Sequence, residues 1–165
     1  MLAFCGQDPC SVDANGRIKL SPRFISDFQE RCSGEVVMHC LPEGAVALYP
    51  EDVYLKMRDE ETNPAARAAV NMAWRRTMRR FGAMSRSEKI SAQGRVTIPT
   101  GFREYAGLQP GVDAVVVGAE IGVEIWNAER WQAEIMQIDE HFKEKGVRQM
   151  YNDLEMEDQE PIPGN

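Results

Sequence analysis

The chain has 165 residues and a formal net charge of −7 at pH 7, and this overall charge argues against simple electrostatic binding of nucleic acid. No stretch approaches the roughly 20 apolar residues of a membrane span, and the first residues have no basic flank followed by a long apolar run. Composition therefore predicts a soluble, cytoplasmic protein that does not contact a membrane.

The charges are unevenly distributed along the chain. Between Pro64 and Arg95 there are eight basic residues and one acidic residue, Glu88. The segment 151–165 holds five acidic residues and no basic one, which predicts a flexible acidic tail. For the arginines of Arg75–Arg80, a solvated helix face with ion pairs between subunits is favoured over a supplementary surface for DNA phosphates.

The first half of the chain predicts a turn, a strand and a helix, followed by a hairpin. Asn15-Gly16 should supply the two positive-φ positions of a tight turn. Charged and apolar residues alternate over 17–20, as in a strand with one buried face. The further elements are a helix at 22–32, strands at 36–38 and 46–49, and a helix opened by Pro50.

The second half begins with a long helix and then returns to strands. Asn63-Pro64 predicts a capped helix start, and the helix should run to Phe81, where Gly82 stops it. The following elements are a strand at 96–98, a helix at 99–106 stopped by Gly107, strands at 114–117 and 123–126, and a helix that begins after Asn127 and ends at Lys145, before Gly146.

These elements repeat at a fixed spacing. Asp13-Ala14-Asn15-Gly16-Arg17 recurs as Ser91-Ala92-Gln93-Gly94-Arg95, with an offset of 78 residues. Val46-Ala47-Leu48-Tyr49-Pro50 recurs as Val123-Glu124-Ile125-Trp126-Asn127, with an offset of 77 residues. Two copies of one small β-rich unit, related by internal pseudo-twofold symmetry, account for this pattern.

The repeated turn carries a recognisable chemistry. A carboxylate at residue 13 can accept hydrogen bonds from backbone N–H groups inside the turn, and Arg17 can pair with it or point outward. Taken alone, the five residues indicate hairpin chemistry only. Two such turns in matched repeats would lie close together and present Arg17 and Arg95 as a pair. Ser91 lacks the carboxylate, so Arg95 should be freer.

The combination of motifs resembles the MraZ family of bacterial transcriptional regulators over about 6–134. The two turns are each followed by an apolar strand and a short helix. The further shared motifs are Leu48-Tyr49-Pro50, Glu124-Ile125-Trp126, Asn63-Pro64-Ala65-Ala66-Arg67 and Phe102-Arg103-Glu104-Tyr105-Ala106-Gly107-Leu108. The resemblance implies an α+β fold of two pseudo-symmetric AbrB-like swapped-hairpin units with short flanking helices, assembled into a ring-like homo-oligomer.

The resemblance also implies a domain division and a function. The repeats would occupy 7–54 and 85–131, with connecting helices at 55–84 and a C-terminal helix with the acidic tail at 132–165. The protein would be a sequence-specific, nucleoid-associated repressor of the division and cell-wall gene cluster, including its own promoter. Its partners would be double-stranded DNA with short direct repeats and further copies of itself.

The candidate site is the pair of turns and the strands that leave them. An exposed hairpin can enter a major groove as a two-stranded ribbon, and repeated copies of it in an oligomer would add avidity. The expected DNA-binding residues are Arg17, Lys19, Asn15, Arg95 and Arg86. The expected turn-forming residues are Asp13, Gly16, Ser91 and Gly94.

An enzymatic function is not indicated. The chain has two histidines and no nucleophile elbow, P-loop or dinucleotide fingerprint, and its four cysteines form no C-x-x-C pair, so no cofactor or metal site is expected. The alternative is an oligomeric scaffold or partner-binding protein of the same fold without DNA recognition, in line with the acidic net charge and Ser91. Short direct repeats upstream of the gene would favour the regulator.

Overall fold

The computed structural model describes residues 2–58 and 63–157, and within them the fold is α+β, as predicted. The strands are β1 (Gln7–Ser11), β2 (Arg17–Lys19), β3 (Glu35–Cys40), β4 (Val46–Pro50), β5 (Ser85–Lys89), β6 (Arg95–Thr97), β7 (Asp113–Gly118) and β8 (Val123–Asn127). The helices are α1 (Pro22–Cys32), α2 (Glu51–Arg58), α3 (Pro64–Val70), α4 (Met72–Ala83), α5 (Thr100–Ala106) and α6 (Ala128–Glu157).

The described chain forms two compact units. The first ends at Ala128 and contains all the strands named above, and the second begins at Glu129 and consists of the remainder of α6 where it is described. No helix in the described ranges is long and apolar enough to cross a membrane.

The strands of the first unit form two antiparallel sheets. The larger sheet has the order β1-β7-β8-β4-β3-β5, and β2 pairs with β6 in a separate two-stranded ribbon. At one edge β1 pairs with β7, with Gln7 opposite Val117. At the other edge β5 pairs with β3, with Lys89 opposite Glu35. Each edge strand is therefore held by a strand from the other half of the chain.

The core is formed by apolar side chains that the strands and short helices turn inward. Phe24 and Phe28 of α1 are fully buried, as the spacing along that helix predicts. Ile18 of β2 and Val96 of β6 belong to the same buried cluster. Burial of each such side chain stabilises the fold by roughly 1.5–3 kcal/mol, so the cluster fixes which face of the ribbon meets solvent.

Several predicted elements agree closely with the structure. Helix α1 has the predicted bounds, and the strands on either side of the 42–44 turn are present as β3 and β4. Gly107 ends α5 in the left-handed conformation, with φ 66°, and its N–H donates to the carbonyl of Arg103.

The prediction of one continuous helix from Pro64 to Phe81 is wrong. Asn71 is extended, with φ −125° and ψ 110°, and its side chain accepts a hydrogen bond from the N–H of Trp74 at 2.9 Å. This capping bond ends α3 and starts α4. Gly82 does not stop the helix, because α4 continues to Ala83. Pro50 is the last residue of β4, so α2 starts one residue later than predicted.

The prediction for the C-terminal segment is also partly wrong. Helix α6 passes through Gly146 and continues to Glu157, so the helix includes the first part of the segment predicted as a flexible tail. A glycine inside a helix costs only about 1 kcal/mol relative to alanine, which a helix of 30 residues can tolerate. The remainder of the predicted tail, 158–165, lies outside the described residues.

Candidate nucleic-acid interface

The first turn is a four-residue turn closed by a left-handed glycine. The N–H of Gly16 donates to the carbonyl of Asp13 at 3.0 Å, and the N–H of Asp13 donates to the carbonyl of Arg17 at 2.9 Å. Gly16 has φ 74°, whereas Asn15 is not among the positive-φ residues. The prediction of two positive-φ positions is therefore wrong, because a turn of this kind needs only the final left-handed residue.

The carboxylate of Asp13 organises the turn. Its Oδ1 accepts hydrogen bonds from the N–H groups of Asn15 at 2.8 Å and Arg17 at 2.9 Å. Its Oδ2 accepts from Nε of Arg17 at 3.1 Å. The backbone hydrogen bond from Arg17 is the main reason why the pKa of Asp13 lies below its ordinary value of 3.8. The hydrogen bond from Nε to Asp13 thus restrains the orientation of the Arg17 guanidinium.

The second turn keeps the backbone pattern and loses the ion pair. The N–H of Gly94 donates to the carbonyl of Ser91 at 2.8 Å. The hydroxyl of Ser91 accepts from the N–H of Arg95 at 2.9 Å, but it has no second oxygen for the guanidinium. Instead, Nη1 of Arg95 donates to Gln93 at 3.5 Å, and the side chain is exposed. Arg95 is held more loosely than Arg17.

Pairing of β2 with β6 collects the basic side chains on one surface. Lys19 lies opposite Arg95, Arg17 opposite Thr97 and Ile18 opposite Val96. Because side chains alternate along a strand and the two apolar residues are buried, the other residues lie on the opposite face. Lys19, Arg95 and Thr97 are exposed there, and Arg17 is half-buried. We call this solvent-facing surface the ribbon face; its members are Arg17, Lys19, Arg95 and Thr97.

The other predicted contact residues lie elsewhere. Asn15 is exposed at the tip of the first turn, next to the ribbon face. Arg86 lies on β5, at the edge of the six-stranded sheet, and its Nε is 3.5 Å from a carboxylate oxygen of Glu88. The structure therefore brings Arg17, Lys19 and Arg95 together on the ribbon and places Arg86 in a different sheet.

The arginines of α4 fall into two groups. Arg75 donates to the carbonyl of Ala68 at 2.8 Å, and Arg80 donates to the carbonyl of Cys40 at 2.9 Å, so these two side chains hold neighbouring segments together. Arg76 and Arg79 are exposed. The two predicted roles of this basic segment, a solvated helix face with ion pairs between subunits or a supplementary surface for DNA phosphates, therefore apply only to Arg76 and Arg79.

One residue near the first turn was not predicted as part of the site. The Nη1 atom of Arg103, on α5, occupies the space in which a Cβ atom at residue 16 would stand. At the second turn the equivalent space beside Gly94 is occupied by Cδ1 of Ile25, on α1. The 78-residue offset relates these two positions as well, and together with the motif that begins at Phe102 it is a sequence signal that points to Arg103.

The unequal turns predict unequal effects of exchanging their first residues. Asp13→Ser should lower the melting temperature more than Ser91→Asp raises it, because Asp13 accepts three hydrogen bonds within its turn and an exposed new ion pair adds little. The lowered pKa of Asp13 means that its contribution is present above pH 3.8 and is lost as the pH falls through the folded-state pKa.

Melting curves of the wild-type protein and both variants, recorded between pH 7 and pH 3, measure these effects. The difference between wild type and Asp13→Ser should shrink below pH 3.8, the ordinary pKa of the carboxyl group. Equal effects of the two exchanges would mean that Gly16 and Gly94 alone determine the turns. A difference that does not depend on pH would mean that the charge of Asp13 does not stabilise the first turn.

Comparisons with known protein sequences agree with the motifs. A family model described as "MraZ protein, putative antitoxin-like" matches residues 84–153. The chain is 33% identical over 133 residues to the "Transcriptional regulator MraZ" of Corynebacterium kroppenstedtii, and this match covers 78% of this chain and 83% of that protein. It is 32% identical to the protein of the same name from Salinispora tropica, and the match covers 87% of this chain and 96% of that protein. It is also 32% identical to the one from Frankia alni, where the match covers 86% of this chain and 92% of that protein. The chain therefore belongs to the MraZ family.

Proposed function

We propose that the chain is a sequence-specific DNA-binding transcriptional regulator, and that it represses the division and cell-wall gene cluster together with its own promoter. The names of its relatives support regulation of transcription. The observation that carries DNA binding is the register of β2 with β6, which gathers Arg17, Lys19 and Arg95 on one exposed face although the whole chain is acidic. Such a regulator would act in the cytoplasm, at the nucleoid, and needs no cofactor or catalytic residue.

The ribbon face suits insertion into a major groove. A two-stranded β-ribbon fits this groove, and its outward side chains reach base edges and phosphates. Asp13 engages Nε of Arg17, which leaves the two terminal nitrogen groups as a fork for the O6 and N7 acceptors of a guanine. Lys19 and Arg95 lie opposite each other at the other end of the ribbon and would contact phosphates.

We also propose that the repeats at 7–54 and 85–131 form one swapped-hairpin unit with pseudo-twofold symmetry, joined by the helices of 55–84. The exchange of edge strands supports this arrangement, since β1 pairs with β7 and β5 pairs with β3. The first residues of β2 and β6, and of β3 and β7, are 78 apart. A pseudo-twofold axis through the pair Ile18–Val96 would relate the two strands of the ribbon.

A ring-like homo-oligomer is the expected functional form. Several large apolar side chains of the connecting helices are exposed, among them Leu55 and Met72 at 56% and Val70 at 86%. Exposed apolar surface of this kind marks subunit contacts, and several ribbons acting on neighbouring repeats would bind far more tightly than one. Light scattering at micromolar concentration should show a stable oligomer, and a stable monomer would contradict this part of the proposal.

A mobility-shift assay on the DNA upstream of the gene tests the function. The protein should shift a duplex that contains short direct repeats, and its affinity should fall steeply as salt is raised. A duplex of the same length and base composition with the repeats scrambled is the control. Equal affinity for both duplexes would contradict sequence-specific recognition. Absence of binding to either would favour the alternative, an oligomeric scaffold of the same fold, for which the net charge of −7 and Ser91 are the supporting features.

A further inference from the structure

The two turns are covered by side chains of opposite character. Arg103 extends from α5 over Gly16, and Ile25 extends from α1 over Gly94. Both glycines have positive φ, 74° and 79°, and both turns have the same pattern of backbone hydrogen bonds. The residues of the two turns differ as well, because Asp13 and Arg17 form an ion pair and Ser91 and Arg95 do not. The first turn thus has two guanidinium groups beside it and the second has one.

The guanidinium of Arg103 is incompletely hydrogen-bonded. Its Nη2 donates to the hydroxyl of Thr100 at 2.9 Å, while its Nε is buried without a hydrogen-bond partner. Within the described ranges no carboxylate forms an ion pair with Arg103. Because the unpaired Nε is shielded from solvent, an oxyanion from outside the chain would meet the terminal nitrogens of Arg103, whose only hydrogen bond among the described residues is the one to Thr100.

We propose that Arg103 is a fourth DNA-contacting cation, which binds a phosphate beside the first turn and makes the contact of each protomer with DNA unequal at the two ends of the ribbon. This inference rests on the proposed function. Arg17 and Arg103 act at the first-turn end, whereas at the other end Arg95 acts together with Lys19 and not with a second arginine. Since a ribbon with unequal ends has a direction, the DNA site of one protomer has a direction too. Protomers related by rotation in a ring then match direct repeats rather than inverted ones.

Paired substitutions at the two covering positions test this inference on the upstream duplex. Arg103→Met should weaken binding about tenfold and reduce the steepness of the salt dependence by about 0.9, the value for one lost phosphate contact. Ile25→Arg should place a guanidinium over the second turn and increase the steepness by a similar amount. Arg103→Lys keeps the charge and should retain the wild-type salt dependence, and far-UV circular dichroism checks the fold of each variant.

The outcomes separate this inference from the proposed function. A wild-type protein that does not bind the duplex would contradict the function itself. Wild-type binding together with an unchanged affinity and salt dependence in a folded Arg103→Met protein would overturn only the role of Arg103. Where Arg103→Met does not fold, Ile25→Arg decides: a steeper salt dependence supports a DNA-facing position above the turns, and an unchanged one rejects it.

Discussion

Arg17→Ala is expected to remove most of the discrimination between the cognate duplex and a scrambled one, and to leave folding and assembly intact. A bidentate contact to a base is worth about 1–3 kcal/mol, so the affinity for the cognate site should fall roughly ten- to hundredfold, with a smaller loss for the scrambled duplex. The fold should persist because Ile18 and Leu20, which are 2% and 1% exposed, are the residues of this segment that pack in the core.

Lys19→Ala is the matched control for this experiment. It lies two residues away on the same face and is expected to contact a phosphate. Its removal should weaken binding to both duplexes to a similar degree and flatten the salt dependence by about one unit. If Arg17→Ala instead prevented folding, Arg17 would be a structural partner of Asp13, and its assignment to base recognition would be wrong.

Ile18→Ala is expected to cause the largest loss of stability at the site, about 2–5 kcal/mol in urea unfolding, because the side chain is 2% exposed and the remaining cavity cannot collapse fully. Val96, directly opposite, is fully buried as well. Residues in direct cross-strand contact are energetically coupled.

A double-mutant cycle of Ile18→Ala with Val96→Ala should therefore show a coupling energy of at least about 0.5 kcal/mol. Lys19→Ala, an exposed change on the same strand, should alter stability by no more than about 0.5 kcal/mol. Strictly additive losses in the cycle would mean that β2 and β6 do not pack against each other in solution, and the ribbon face would then not exist as described.

Elements with a strong local pattern could be predicted from the sequence. Helix α1, its buried phenylalanines and the strands β3 and β4 follow directly from the spacing of apolar residues and from the turn residues between them. The edge strands β1 and β5 could not be predicted, because their sequences, QDPCS and SRSEK, are polar and show no apolar alternation. Their strand structure depends on pairing with β7 and β3.

The residues beside the two turns could be predicted as candidate site residues, but the way in which tertiary contacts arrange them could not. The repeated turns identified Arg17, Lys19 and Arg95 as candidates, because each stands at a fixed place beside a turn glycine. The pairing of β2 with β6 joins distant parts of the chain, and periodicity carries no information on that register. For the same reason the sequence groups Arg86 with the ribbon residues and does not group Arg103 with them, although Arg103 reaches the first turn from α5.

Photocrosslinking from the ribbon face tests the central claim most directly. A photoreactive residue placed at Thr97, which is exposed on the ribbon and lies opposite Arg17, should crosslink to the upstream duplex. The same residue placed at Ile121, exposed in the loop between β7 and β8, serves as the control and should not crosslink. Crosslinking from Thr97 alone, at low and moderate salt, is the result predicted here. Crosslinking from Ile121 without any from Thr97, in a protein that still shifts the duplex, would contradict the assignment of the ribbon as the DNA-binding surface.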